Sequence, residues 1–178
     1  MKLTSILLIG ILCTTSALAG GYSEKTSGDL SDHGLQPDTI SLTSGRNVVA
    51  GLFGTRVKPD GSRTDRDYFT ITLSEGQSLN SIVLDPKSDV GGAYSFIGIQ
   101  AGPQVTVPPD GSSAADLLGW AHFGSGDEGT NILPAIGAGS GAIGFTPPLG
   151  PGTYSFWVQE LAQCRCKYRF ILTIGNSP

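Results

Sequence analysis

The fold class is decided by two stretches, Gly152-Thr-Tyr-Ser-Phe-Trp-Val-Gln159 and Lys167-Tyr-Arg-Phe-Ile-Leu-Thr-Ile174. In both, large apolar side chains recur at every second position, which places them on one face of an extended strand. Fully burying one such side chain contributes about 1.5–3 kcal/mol to stability, so these two faces are expected to anchor the core. Only a short connection separates the two stretches. We therefore predict that they pair as an antiparallel hairpin.

The same alternation continues toward the N-terminus. In Asp67-Tyr-Phe-Thr-Ile-Thr-Leu73, the side chains of Phe69, Ile71 and Leu73 share one face. No stretch has the sustained 3.6-residue period of a helix, and short strands separated by Gly- and Pro-rich turns are typical of β-sandwiches and barrels. We predict an all-β protein, an antiparallel β-sandwich of the jelly-roll type. The other predicted strands are residues 38–43, 47–53, 79–85, 94–100, 104–107 and 119–123, and residues 124–141 are predicted to form a long loop.

The N-terminus has the features of a secretory signal peptide. Lys2 supplies the positive charge, residues 6–13 form the apolar segment, and Ala17-Leu-Ala19 matches the small-residue cleavage site. The apolar segment is much shorter than the roughly 20 residues of a membrane-spanning helix. We therefore expect a secreted or periplasmic protein. The predicted organisation is a signal peptide at 1–19, a polar leader at 20–37 and one β-sandwich domain at 38–178.

Composition limits the partners that the chain can have. Only 15% of its 178 residues are charged, the net charge is −4, and Lys and Arg form no basic stripe. Nucleic acids and anionic membranes are therefore poor partners. The hydrophobic content of 39% is too high for a disordered chain.

Two cysteines, Cys164 and Cys166, remain after the predicted cleavage, and they form a candidate redox pair. An exported pair can be oxidised. On an extended strand, however, residues i and i+2 lie about 6.5–7 Å apart, at or beyond the usual span of a disulfide. The alternatives are a turn-closing or labile pair, two free thiols, and an intermolecular bridge or metal site.

Several motifs resemble a known family. Asp65-Arg-Asp-Tyr-Phe69, followed by Glu75-Gly-Gln-Ser-Leu79, resembles the D-x-D-[YW]-F…G-x-x-L core of bacterial pre-peptidase C-terminal domains, and Gly150-Pro-Gly-Thr-Tyr154 is similar to a strand entry in that family. The middle run Phe96-Ile-Gly-Ile-Gln-Ala-Gly102 and Leu118-Gly-Trp-Ala-His-Phe-Gly124 looks like the longer form found in secreted bacterial surface proteins. Many of these proteins end in a PEP-CTERM sorting signal, which Gly175-Asn-Ser-Pro178 does not match, so anchoring by that route is not expected.

The resemblance covers most of residues 28–175 and implies a small β-sandwich that serves as an accessory module of exported proteins. Some relatives bind calcium or extracellular polymers. Calcium prefers carboxylate and carbonyl oxygens in loops. The resemblance implies a calcium site formed by Asp29 and Asp32 of the leader with Asp65 and Asp67, near a further acid, Asp60. The alternative is that these are turn aspartates whose side chains bond to nearby backbone groups.

Two aromatic residues, Trp120 and Trp157, are candidate ligand contacts, because carbohydrate modules stack sugars on exposed rings. Trp157 lies opposite the apolar face of its strand, so it is either exposed or covered by a second layer. His122 is followed by Ser125 and Asp127, but the chain contains no G-x-S-x-G nucleophile motif.

We therefore expect no catalytic residues and no enzyme. The expected function is a secreted binding or structural module for an extracellular polysaccharide or matrix protein. The alternatives are an accessory domain related to secreted hydrolases and a hydrolase centred on His122.

Overall fold

The computed structural model describes residues 20–58, 61–90, 94–110 and 113–176. The predicted signal peptide and Asp60 lie outside the described residues. A membrane-crossing helix is not found in the described part of the chain. Strands β1–β9 occupy Gly21–Ser23, Asp38–Thr39, Gly45–Lys58, Gly61–Leu73, Gln77–Leu84, Ser95–Ala101, Gly119–Phe123, Gly152–Gln159 and Cys166–Asn176. Helices α1 and α2 occupy Glu24–Ser27 and Leu133–Gly137, and a 3-10 helix occupies Ser125–Asp127.

The strands form one sheet that curls into two layers, in the order β5-β9-β3-β4-β8-β6-β7. The first part of β3 pairs antiparallel with β9, as far as Phe53 opposite Cys166. From Gly54 onward, β3 pairs with β4 instead, and β4 pairs with β8 from Arg66 onward. One layer is therefore β1-β3-β9-β5 and the other is β2-β4-β8-β6-β7, where β1 and β2 are short parallel additions. The predicted all-β, antiparallel sandwich is confirmed.

The main core fills the space between the layers. As the alternation predicts, Phe69, Ile71 and Leu73 of β4 are buried there. Phe69 stacks on Phe156 of β8 with ring centroids 4.7 Å apart. The two rings meet because their residues are directly opposed in the β4–β8 register.

The predicted hairpin between the two C-terminal stretches is wrong. β8 pairs with β4 and β6 in one layer, whereas β9 pairs with β3 and β5 in the other. Each strand has an apolar inner face, so the two strands bury those faces across the core rather than meeting edge to edge. The connection 160–165 consequently crosses from one layer to the other.

Two predictions about the secondary structure of single segments are also wrong. Residues 104–107 form no strand, because their N–H groups bond elsewhere: Val105 donates to the carbonyl of Gly34 (2.8 Å) and Thr106 donates to the Gln100 side chain (2.9 Å). The predicted loop 124–141 contains the 3-10 helix and α2. Helix α2 forms because Pro134 lies in its first turn and Ile136 is buried in the core.

Candidate functional site

A row of aromatic rings crosses the outer face of the β2-β4-β8-β6-β7 layer. Tyr68 of β4 stacks on Trp157 of β8 at 5.9 Å, Trp157 contacts Phe96 of β6 at 4.6 Å, and Phe96 stacks on Trp120 of β7 at 6.0 Å. The register explains this row, because Gly98 of β6 lies directly opposite both tryptophans. A Cβ atom on Gly98 would lie 3.1 Å from the Phe96 ring, so the ring occupies the space that the glycine leaves.

The middle of this row is buried. Trp157 is only 5% exposed and belongs to a second apolar cluster with Val105, Val107 and Leu117. Among the described residues, its Nε1 atom has no hydrogen-bond partner. Trp157 is therefore covered by a second layer formed from the segment that follows β6.

The row ends at the surface in three rings, Trp120, His122 and Tyr94, which we call the aromatic platform. His122 packs edge-to-face on Trp120 at 5.4 Å, and Tyr94 packs edge-to-face on His122 at 6.2 Å. Tyr94 is 78% exposed. The Nε1 atom of Trp120 donates to the carbonyl of Ser140 at 2.9 Å, which fixes the indole ring. The platform thus presents aromatic surface whose central rings are already held in position.

The surroundings of His122 bear on the hydrolase alternative. The ring contacts of His122 are with Tyr94, Phe96 and Trp120. Asp127 caps the 3-10 helix, where its Oδ2 accepts the Gly124 N–H at 2.9 Å. The contacts of these two residues are therefore those of a surface aromatic cluster and a helix cap.

A second candidate site, at one end of the core, is the buried carboxyl group of Asp67 beside the partly buried carboxyl group of Glu24. Asp67 of β4 is fully buried, and among the described residues neither its oxygens nor the hydroxyl of Tyr168 makes a hydrogen bond of normal geometry. Asp67 nevertheless interacts with both Tyr168 and Glu24, which lie beside it. Glu24 of α1 accepts the N–H of Leu30 with Oε1 (2.9 Å) and that of Leu52 with Oε2 (2.6 Å). Glu24 thereby attaches the leader to β3.

Burial governs the protonation of this pair. It raises the pKa of Asp67 to about 9, and the nearby charge of Glu24 adds to the shift. Burial likewise raises the pKa of Glu24 and, more strongly, that of Tyr168. A buried carboxyl group next to a second carboxylate does not ionise readily, so Asp67 carries a proton at neutral pH unless a cation compensates its charge.

Gly51 of β3 provides the room for these groups. A Cβ atom on Gly51 would lie 2.6 Å from Oδ2 of Asp67 and 2.6 Å from the hydroxyl of Tyr168. Gly51 and Glu24 also line a cavity of about 420 Å³ that opens beside the pair.

The structure brings together only some of the four predicted calcium ligands. Asp29 is exposed and lines the same cavity as Glu24, and the charge of Asp65 helps to raise the pKa of Asp67. Asp32 lies on the other side of β4. Its Oδ1 accepts the Arg66 N–H at 3.0 Å, and it lines a groove with Tyr68, whose side chain faces outward. Across the described ranges, no three His, Cys, Asp or Glu side chains are grouped so that they could hold a metal ion.

Sequence reasoning missed Glu24, Gly51 and Tyr168 as members of this site. A signal for Asp67 was present, because it shares the alternation of Phe69 and therefore faces the core. No local pattern indicates Glu24, whose bond to Leu52 spans 28 residues.

The structure joins Cys164 and Cys166 by a disulfide. Their Cα atoms are 5.4 Å apart, closer than on an extended strand, because Cys164 lies in a turn where its N–H bonds to the carbonyl of Ala162 at 2.9 Å. Cys166 is the first residue of β9 and is 4% exposed, whereas Cys164 is partly exposed.

Compared with models of known protein families, with curated proteins and with solved structures, the chain gives no match. The resemblance to pre-peptidase C-terminal domains therefore depends on the quoted motifs alone.

Proposed function

We propose that this protein is an exported, non-catalytic binding module whose aromatic platform holds an extracellular polysaccharide. The observation that carries the proposal is the exposed end of the aromatic row, at Tyr94, His122 and Trp120. Pyranose rings have apolar faces that stack on aromatic side chains, and the polar tips of tyrosine, histidine and tryptophan suit a partly wet surface. Because neighbouring rings and the Ser140 carbonyl already hold Trp120, binding would require little further ordering.

A polysaccharide-binding screen with platform variants tests this proposal. Immobilised neutral and acidic polysaccharides, and a matrix protein, are probed with the wild type, Tyr94→Ala and Trp120→Ala. We expect each substitution to weaken binding about tenfold, equivalent to 1.4 kcal/mol. Leu35→Ala is the matched control, because Leu35 is a large exposed apolar residue near the opposite end of the row. The proposal would be refuted if both platform variants bind as strongly as the wild type, or if the wild type binds no polysaccharide. If the wild type binds only the matrix protein, that protein replaces the polysaccharide as the ligand.

Calcium stabilisation is a second proposed role, favoured by the two buried oxygens of Asp67, which make no hydrogen bond of normal geometry among the described residues. Calcium takes oxygen ligands from carboxylates. Asp67 and Glu24 are the residues that would hold the ion, and a bound cation would supply the positive charge that lets both carboxyl groups ionise. Since Glu24 belongs to the leader and Asp67 to β4, such a site would also fasten the leader to the sandwich.

Thermal unfolding in calcium tests this second role. Extracellular calcium modules bind with dissociation constants near 10⁻⁴–10⁻³ M, so 10 mM calcium should stabilise the protein by about 1.4 kcal/mol or more. Asp67→Asn should abolish this response. Asp32→Asn should retain it, because Asp32 lies on the other side of β4. An unchanged melting temperature of the wild type at 10 mM calcium would contradict the role.

A further inference from the structure

The disulfide is asymmetric in its exposure. Cys166 is buried at the start of β9, opposite Phe53 of β3, while Cys164 lies partly exposed in the preceding turn. Cys164 also packs against the core cluster, but it is the more exposed of the two, so we expect an external thiolate to attack its sulfur rather than that of Cys166. With one sulfur more exposed than the other, the mixed disulfide forms at Cys164 and Cys166 is the leaving group.

We do not expect the fold to depend on this bridge. It closes a loop of only one intervening residue, and short loops restrict the unfolded chain least. The strands on either side have their own partners, because β8 pairs with β4 and β6 and β9 pairs with β3 and β5. Reduction is therefore expected to leave the sandwich folded.

The charges around the bridge favour exchange. Arg165 and Lys167 flank Cys166 in the chain, and both are exposed. Within the described residues, neither has a carboxylate partner. Exposed positive charges beside the bridge attract an incoming thiolate anion.

The turn that contains Cys164 also packs closely against β3. A Cβ atom on Gly54 would lie 2.5 Å from the Cys164 carbonyl and 2.9 Å from its Sγ atom, so only glycine leaves room for the bridge. The N–H of Thr55 donates to the carbonyl of Ala162 at 2.9 Å. Backbone bonds outside the disulfide thus hold the turn that contains Cys164 in place.

We propose that Cys164 and Cys166 form a thiol–disulfide exchange site that oxidises a dithiol of a partner protein. A partner thiolate attacks Sγ of Cys164, the sulfur–sulfur bond breaks, and its electron pair remains on Cys166 as a thiolate. The second partner thiolate then attacks the partner sulfur of the mixed disulfide and releases Cys164 as a thiolate. In total, two electrons and two protons pass from the partner to the cysteine pair, and the partner gains one disulfide.

The test uses the folded, oxidised chain and a reduced peptide that contains two cysteines. We expect one peptide disulfide per protein molecule in the absence of denaturant, with circular dichroism unchanged. The double variant Arg165→Ser, Lys167→Ser should react at least tenfold more slowly. A bridge that is reduced only after denaturant unfolds the chain would overturn the proposal.

Single-cysteine variants test the asymmetry in the reverse direction. Mixed with the oxidised peptide, Cys166→Ser should be trapped as a mixed disulfide at Cys164, detected by mass spectrometry, whereas Cys164→Ser should remain unmodified. Equal trapping of both variants would also overturn the assignment. If either variant fails to fold, the reduced wild type can be trapped with a thiol alkylator, which should label Cys164 before Cys166.

Discussion

The buried carboxyl of Asp67 makes a specific prediction about how stability depends on pH. Its pKa is raised to about 9 in the fold, whereas an aspartate in the unfolded chain has a pKa near 3.9. Between these values the folded state holds a proton that the unfolded state has released. Stability therefore falls as the pH rises through this interval, because the unfolded state binds fewer protons. Asp67→Asn removes the titration while nearly preserving the shape of the side chain.

The size of this change in stability follows from the interval between the two pKa values. It spans about five pH units, and each unit corresponds to 1.36 kcal/mol, so titration of Asp67 changes stability by at most about 7 kcal/mol. Water entry and small movements around the charge lower this limit, since buried groups behave as though their surroundings were more polar than a dry interior. We expect the wild type to lose about 2–4 kcal/mol relative to Asp67→Asn between pH 5 and pH 9.

Urea unfolding at pH 5, 7 and 9 in the presence of a chelator measures this difference. The chelator matters because a bound cation would compensate the charge of Asp67 and mask the effect. Asp116→Asn is the matched control, because Asp116 is exposed, and its stability curve should run parallel to that of the wild type. Parallel curves for the wild type and Asp67→Asn would refute the reasoning.

Two further predictions concern residues that support the fold. Gly51→Ala should lower the free energy of unfolding by about 1–3 kcal/mol, because the added Cβ would lie 2.6 Å from Oδ2 of Asp67. Gly126→Ala is the control and should be nearly neutral, because no atom lies within 4 Å of its added Cβ. Equal urea midpoints for the two variants would argue against crowding at Gly51. Arg169→Met should destabilise the protein at pH 7 and progressively less as the pH falls. Burial alone would raise the pKa of Asp85, but hydrogen bonds to its carboxylate, including one from Arg169 at 2.8 Å, lower it, so their contribution disappears only as the carboxylate is protonated. A destabilisation that is independent of pH in thermal unfolding would contradict this reasoning.

Local alternation predicted most of the strands but not how they are arranged. The inward face of β4 followed directly from Phe69, Ile71 and Leu73, and its burial is observed. The pairing of β8 and β9 did not follow, because an apolar face looks the same whether its strand meets a neighbour at its edge or across the core. The extension of β3 beyond Phe53 was missed because the residues after it are polar and lack an apolar alternation.

The candidate sites, like the strand arrangement, could be predicted only in part from the sequence. The position of Trp120 on a strand came from its surrounding pattern, but Tyr94 joins the platform from a different segment. Asp67 could be placed on the core face by periodicity alone. Its neighbour Glu24 could not, because only the folded leader brings it to β3 and no short motif encodes that contact.

The exchange of partners along β3 has a mechanical consequence. One part of β3 is hydrogen-bonded to β9 in one layer, and the part from Gly54 onward is bonded to β4, which continues into the other layer. The layers are thus connected by a continuous ribbon of backbone as well as by side-chain packing. Because Gly54 and Asp65 form the open end of this ribbon, a force that separates the layers would break its pairs one after another from that end, and the module should open there first under load.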